Sequence, residues 1–321
     1  MLKTFEEVSA WIGEGRVLHI AGTETLLRKM PKGNWIGGST EYFLTDDGGL
    51  VSDSMLFVTE LPKGEFSIRD YDHGTICQMP GQAYDNGFAI VIIPFDSDVH
   101  KEYSRNAPEY EGMFIKNIVG WISGVNLDKT GQTPVVVNGQ TGQTYTDRAV
   151  VLHLEVPESK TVSVGIVNIH KQDADSPVIE FEQNSSYSVS TCKIDGKETL
   201  LANYIRERGH DMSAPLVADY FGHGVNVSFR AVEGDTVHFY SPVLSGIRYR
   251  FAKAVPDYAA EFQQQLNRIK ESDGVFSCNC ILNFLFGELE GKKFGGFYGP
   301  ATFGEVAFQL LNQTLVYVTV K

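Results

Sequence analysis

Residues Gly274–Lys321 read GVFSCNCILNFLFGELEGKKFGGFYGPATFGEVAFQLLNQTLVYVTVK, and this stretch decides the architecture. A short apolar strand at Val275 and Phe276 runs into Cys278-Asn279-Cys280, and Ile281, Leu282 and Leu285 follow at helical spacing. Next comes the glycine-dense segment Gly295-Gly296-Phe297-Tyr298-Gly299-Pro300, then Gly304-Glu305-Val306, and last a wholly apolar strand from Leu315 to Val320. Glycines at this density let backbone approach backbone, or a ligand, where a Cβ would clash. A lone carboxylate, Glu305, stands among them.

Upstream, Thr4-Phe5-Glu6-Glu7 is a capping box, with Phe5, Val8, Trp11 and Ile12 at helical spacing behind it. A second short helix is expected from Thr23 to Met30, and Trp35-Ile36-Gly37-Gly38-Ser39-Thr40 is a strand breaking into a glycine turn. Met55 to Leu61, Phe66 to Tyr71 and the buried run Phe88 to Phe95 predict strands. Tyr110, Met113, Phe114, Ile118, Trp121 and Ile122 mark the stripe of an amphipathic helix. Pro134 to Val137 is a strand that enters Asn138-Gly139-Gln140. Leu152, Leu154, Val156 and then Val162, Val164, Ile166 alternate around Pro157-Glu158-Ser159-Lys160 and predict a hairpin.

In the second half, Asp195 to Glu198 is a capping signal for a helix carrying Leu200, Leu201, Tyr204 and Ile205, ended by Gly209. Leu216 to Phe221 also has a helical look. Strands are expected at Val225 to Phe229, Thr236 to Tyr240 and Ile247 to Phe251, before a helix with Tyr258, Phe262, Leu266 and Ile269 on one stripe. The sum is α+β, with β-rich mixed sheets, flanking helices and two closely associated halves, 1–180 and 181–321. No repeat of fixed period is visible.

The chain has 321 residues, 42% hydrophobic and 21% charged, an ordinary globular composition. Its formal charge of −13 repels phosphate backbones and anionic lipid, so neither nucleic acid nor a membrane surface is an expected partner. No signal-peptide pattern opens the chain, and four cysteines in this length make no disulfide framework, so the expectation is a cytoplasmic protein.

Candidate chemistry is sparse. Cys278 could serve a Cys-dependent hydrolase or transferase, but it needs a His that only the fold can supply, and a free Cys also packs as a small hydrophobe. Zinc would need four ligands, whereas Cys77 and Cys192 stand alone, so no metal is expected. His223, between two glycines, could be a haem ligand or a turn residue. Glu305 is either the anchor for a ligand amine or a structural carboxylate.

The order Phe276-Ser277-Cys278, Gly296-Phe297-Tyr298, Gly304-Glu305 and Asn312-Gln313-Thr314 resembles the C-terminal half of the FIST sensory domain. Ile36-Gly37-Gly38-Ser39-Thr40 resembles the strand-to-glycine signature of its N-terminal half, with Gly38 where that family usually has Cys. Asn279-Cys280-Ile281 also departs, at a place where the family commonly has Arg. The resemblance implies a stand-alone sensor that binds a small metabolite, such as an amino acid, and acts through a separate signalling partner. It places the ligand among Gly37, Gly38, Ser39, Thr40, Gly139, Cys278, Phe297, Tyr298, Gly304 and Glu305. Some members of that family are haem-based nitric oxide sensors, so a haem-binding gas sensor is a further alternative to a protein without cofactor.

Overall fold

Three largely buried strands, Leu18–Gly22, Gly87–Pro94 and Gly274–Cys280, frame the computed structural model. The structure describes residues 1–184, 186–220, 223–269, 274–293 and 295–321. Two compact units are present: unit 1 holds Met1–Val167, Gln263–Leu310 and Thr314–Lys321, and unit 2 holds Asn168–Phe262 and Leu311–Gln313. The chain leaves unit 1 near the expected boundary but returns to it at Gln263, so the units are not consecutive halves.

Unit 1 is one module built three times. The first runs β1 (Leu2–Lys3), α1 (Phe5–Gly13), β2 (Leu18–Gly22), α2 (Glu24–Leu27), β3 (Trp35–Ser39), β4 (Tyr42–Thr45), β5 (Gly48–Val51) and β6 (Leu56–Glu60). The second runs β7 (Phe66–Tyr71), β8 (Gly87–Pro94), α3 (Asp98–Asn106), β9 (Ile118–Ser123), β10 (Val136–Asn138), β11 (Gln143–Tyr145) and β12 (Ala149–Glu155). The third opens with β13 (Val162–Asn168), where the chain then enters unit 2.

Unit 2 contains β14 (Ile179–Glu180), β15 (Ser186–Val189), β16 (Thr191–Ile194), β17 (Lys197–Leu200), α4 (Leu201–Arg208), β18 (Leu216–Tyr220), β19 (His223–Val227), β20 (Phe229–Glu233), β21 (Thr236–Val243) and β22 (Arg248–Phe251). After α5 (Tyr258–Leu266) the third module resumes with β23 (Gly274–Cys280), α6 (Ile281–Phe286), β24 (Gly299–Thr302), β25 (Glu305–Val306), β26 (Leu310–Leu311) and β27 (Thr314–Val320).

The three sheets of unit 1 share one order: β1-β6-β2-β3-β10-β11, β7-β12-β8-β9-β25-β26 and β13-β27-β23-β24-β4-β5. In each module a strand, a helix and a parallel strand form the centre, since parallel neighbours need a crossover. The returning strand then pairs antiparallel with the first. The two strands between are given away. β4–β5 completes the third sheet, β10–β11 the first and β25–β26 the second, a closed ring of exchange.

Each centre is sealed by its own helices. Val8, Ile12 and Leu27 cover Leu18 and Ile20 in the first module; Val99 and Tyr103 cover Val91 and Ile93 in the second. Thr4 caps α1 through the full capping box, and Thr23 caps α2. Unit 2 has the sheet order β17-β16-β14-β22-β18-β19 and a second sheet β15-β21-β20, around a core that includes Phe181, Tyr249, Phe239 and Leu201.

The α+β class with mixed sheets stands, and four local expectations are corrected. The stripe from Tyr110 to Ile122 is not a helix: Ile118–Ser123 is a strand buried on both faces, whose apolar run mimics helical spacing. Val162–Asn168 pairs in the β27 sheet and not with Ala149–Glu155, because β12 already lies between β7 and β8. Asp195 (φ 47°) and Gly196 (φ 79°) form a left-handed hairpin turn between β16 and β17, so α4 starts only at Leu201. Leu216–Tyr220 is a strand paired with β22 and β19, while Phe221 lies outside the described residues. The three modules differ in length and the third is interrupted by unit 2, so the triplication is topological and has no fixed period.

Candidate functional site

The second parallel strands of the three modules lead to buried hydroxyl residues: Thr40 directly after β3, Ser123 at the end of β9 and Thr302 at the end of β24. Equivalent hydrogen bonds join them in a ring. The N–H of Gly124 donates to the Ser39 carbonyl at 2.8 Å, and that of Phe303 to the Ile122 carbonyl at 3.0 Å. The Ser39 N–H donates to the Val135 carbonyl and the Ile122 N–H to the Gly304 carbonyl, both at 2.9 Å. Thr40 Oγ1 closes the circuit by donating to the Ala301 carbonyl at 2.8 Å.

Glycine serves packing at this axis. A Cβ on Gly38 would lie 2.6 Å from Ile92 Cγ2 and 2.7 Å from Trp121 Cη2. The Trp121 indole N–H donates to His19 Nε2 at 2.8 Å, and the His19 ring meets Phe276 edge-on. Burial pushes the His19 imidazole down to about 3.

Glu305 pairs with Trp121 in register, where the counterpart pairs are Val136 with Gly38 and Phe43 with Pro300. It therefore holds a position that is apolar in the other two modules. Its Oε2 accepts from the Thr314 hydroxyl at 2.7 Å and N–H at 3.2 Å, and its Oε1 lies 3.2 Å from Thr302 Oγ1. Burial outweighs these bonds and pushes the carboxyl up to about 8, so it is mostly protonated at neutral pH. Cys278 is buried too, and its thiol donates to the Gly120 carbonyl at 3.1 Å. Burial first, and Glu305 second, push that thiol well above its ordinary range.

The candidate residues thus divide. Gly37, Gly38, Ser39, Thr40, Cys278, Gly304 and Glu305 are gathered at the axis, within packed structure. Gly139 lies apart, under the Trp35 ring, where a Cβ would come within 2.5 Å of the indole. Phe297 and Tyr298 line an open cleft of about 780 Å³. Its other walls are Met1, the Thr45–Asp46 turn, Phe57–Lys63, Gly274–Ser277 and Gly296. The His223 side chain, considered as a haem ligand, lies outside the described residues.

The cleft also brings residues that the sequence did not single out. Asp46 and Lys63 enter no ion pair among the described residues. Asp46 follows β4 and Lys63 follows β6, and only the exchange of β4 into the third sheet makes them neighbours of Tyr298. In the second module the corresponding strands are closed by a lock: Asn138 Nδ2 and Tyr145 Oη each donate to Asp70 at 2.8 Å. By register Leu2 stands where Asp70 would be, and Thr45 and Leu50 replace Asn138 and Tyr145. The cleft lies beside that missing lock.

Among the described residues no helix is long and apolar enough to cross a membrane. Comparison with curated proteins returns no match. The model of a family of unknown function, DUF6976, matches residues 3–321, and the chain belongs to that family.

Proposed function

We propose that the chain binds a small metabolite in the cleft beside Phe297 and Tyr298 and is a sensor, not an enzyme. The supporting observation is the cleft itself, of ligand-pocket size, with aromatic walls and the charges of Asp46, Lys63 and the Met1 ammonium, which Asp46 attracts. Asp46 suits an ammonium group, Lys63 a carboxylate, and the rings an apolar body, which together describe an amino acid. A sensory role with a separate signalling partner is drawn from the motif order that resembles the FIST domain. Four free thiols fit a reducing, cytoplasmic setting.

A Cys278 nucleophile has no such support. Its thiol is buried, held protonated and hydrogen-bonded to a carbonyl, so it presents neither thiolate nor access. The test is a thermal-shift and native mass spectrometry screen of amino acids against the parent chain, Tyr298→Ala, Lys63→Glu and Asp46→Lys. A hit weakened by all three variants is expected. Retained binding in all three would remove the ligand from this cleft.

A further inference from the structure

His19 and Thr59 are directly opposed in the antiparallel pair β2–β6, so their side chains leave the same face of the sheet. Thr59 lines the cleft, and so does Phe276, whose ring stands 5.0 Å from the His19 ring, centroid to centroid. His19 is therefore one layer beneath the cleft floor.

Its proton can be placed. An indole N–H can only donate, so His19 Nε2 must be the acceptor of the Trp121 bond. The neutral ring then carries its hydrogen on Nδ1. That Nδ1 is buried and has no partner. The Thr59 hydroxyl also engages no partner among the described residues. A buried donor without an acceptor is costly and needs a reason.

Resting on the cleft reading above, we propose that His19 Nδ1–H and Thr59 Oγ1 form a polar subsite for an uncharged oxygen of the bound molecule, a carbonyl or hydroxyl. Both groups are uncharged donors, and the Met1 ammonium, which lines the same cleft and acts on the His19 ring, is already bonded to the Val58 carbonyl at 2.8 Å, so an uncharged acceptor oxygen suits them best. Phe276 supplies the apolar surface beside it, and the charged end of the molecule stays near Lys63 at the rim.

The experiment uses the full chain with ¹⁵N-labelled histidine and ¹³C-labelled phenylalanine and tyrosine, and two probes, phenylacetamide and ethylbenzene, which share an aromatic body and differ in the polar amide group. Without probe, His19 should show the Nδ1-protonated tautomer and no titration between pH 5 and 8. Phenylacetamide should shift the His19 Nδ1 resonance together with Phe297 and Tyr298 signals, and ethylbenzene only the latter. Thr59→Val should weaken phenylacetamide about tenfold and spare ethylbenzene. Shifts at Phe297 and Tyr298 with a silent His19 would overturn the subsite and leave the cleft. No shift from either probe at its solubility limit would overturn both. A proton found on Nε2 would overturn the subsite by itself.

Discussion

Gly38 and Trp121 occupy equivalent positions in two modules, and the missing side chain of one is the space filled by the other. Each lies opposite a residue of its own first strand, Ala21 and Ile92, and each faces a donated strand, at Val136 and Glu305. An axis shared by three modules has no room for three indoles. One module supplies the ring, and another gives up its Cβ.

Gly38→Ala should therefore destabilise the chain by about 1–3 kcal/mol, because a methyl there overlaps Ile92 and Trp121, both held in a packed core. Urea unfolding followed by tryptophan fluorescence measures it. An unchanged midpoint would show that the axis yields easily.

Glu305→Gln tests the buried acid. In its neutral form Glu305 can donate from Oε1 to Thr302 and accept from Thr314 at Oε2, and glutamine reproduces both contacts. Because folding raises this pKa from 4.5 to about 8, the folded state binds the extra proton between those values. Stability from this group is thus complete below pH 4.5 and is lost as pH rises towards 8. The Gln variant should lack that decline and exceed the parent above pH 8 in thermal unfolding.

Alkylation separates the thiols. Cys77 is exposed, and Cys192, Cys278 and Cys280 are buried. Iodoacetamide at neutral pH should add one label to the native chain, at Cys77, and the other three only in denaturant. Rapid labelling of Cys278 in the native chain would reopen its candidacy as a nucleophile.

Glu41 anchors the connection from β9 to β10. It accepts from Asn126 at 2.7 Å, Lys129 at 2.8 Å and Gln132 at 3.2 Å. Burial raises its pKa, but these donors outweigh burial and leave it below its ordinary value. Its contribution is present at neutral pH and is lost as pH falls through the carboxylate range. Glu41→Ala should cost about 1.5–3 kcal/mol and speed amide exchange at Asn126 and Asp128, whereas Lys129→Met should cost less.

Local signals were legible where the physics is local. Thr4 and Thr23 announce their helices because a cap needs only its own next turn. The run from Gly87 to Pro94 announces a central strand through its unbroken apolar character. Ile118–Ser123 misleads for the same reason, since burial on both faces erases the alternation that marks a strand. The triplication is invisible because equivalent places hold unlike residues: Phe43, Val136 and Glu305, or Gly38, Trp121 and Pro300. The axis residues were found through their glycines, but glycine density marks close packing as readily as a ligand. Asp46, Lys63 and Thr59 carry no local pattern and meet only in the folded cleft, with His19 in the layer beneath.

The ring of donated hairpins also fixes a timetable for the growing chain. Tyr42–Val51 leaves the ribosome well before its acceptor strand, Gly299–Thr302, is made. Until that strand is made the hairpin has an open flank, which any passing strand can occupy. The enclosing loop is long, so its closure is slow. Polypeptides that stop short of Gly299 are left with a hairpin and no acceptor, and self-association is their natural outcome.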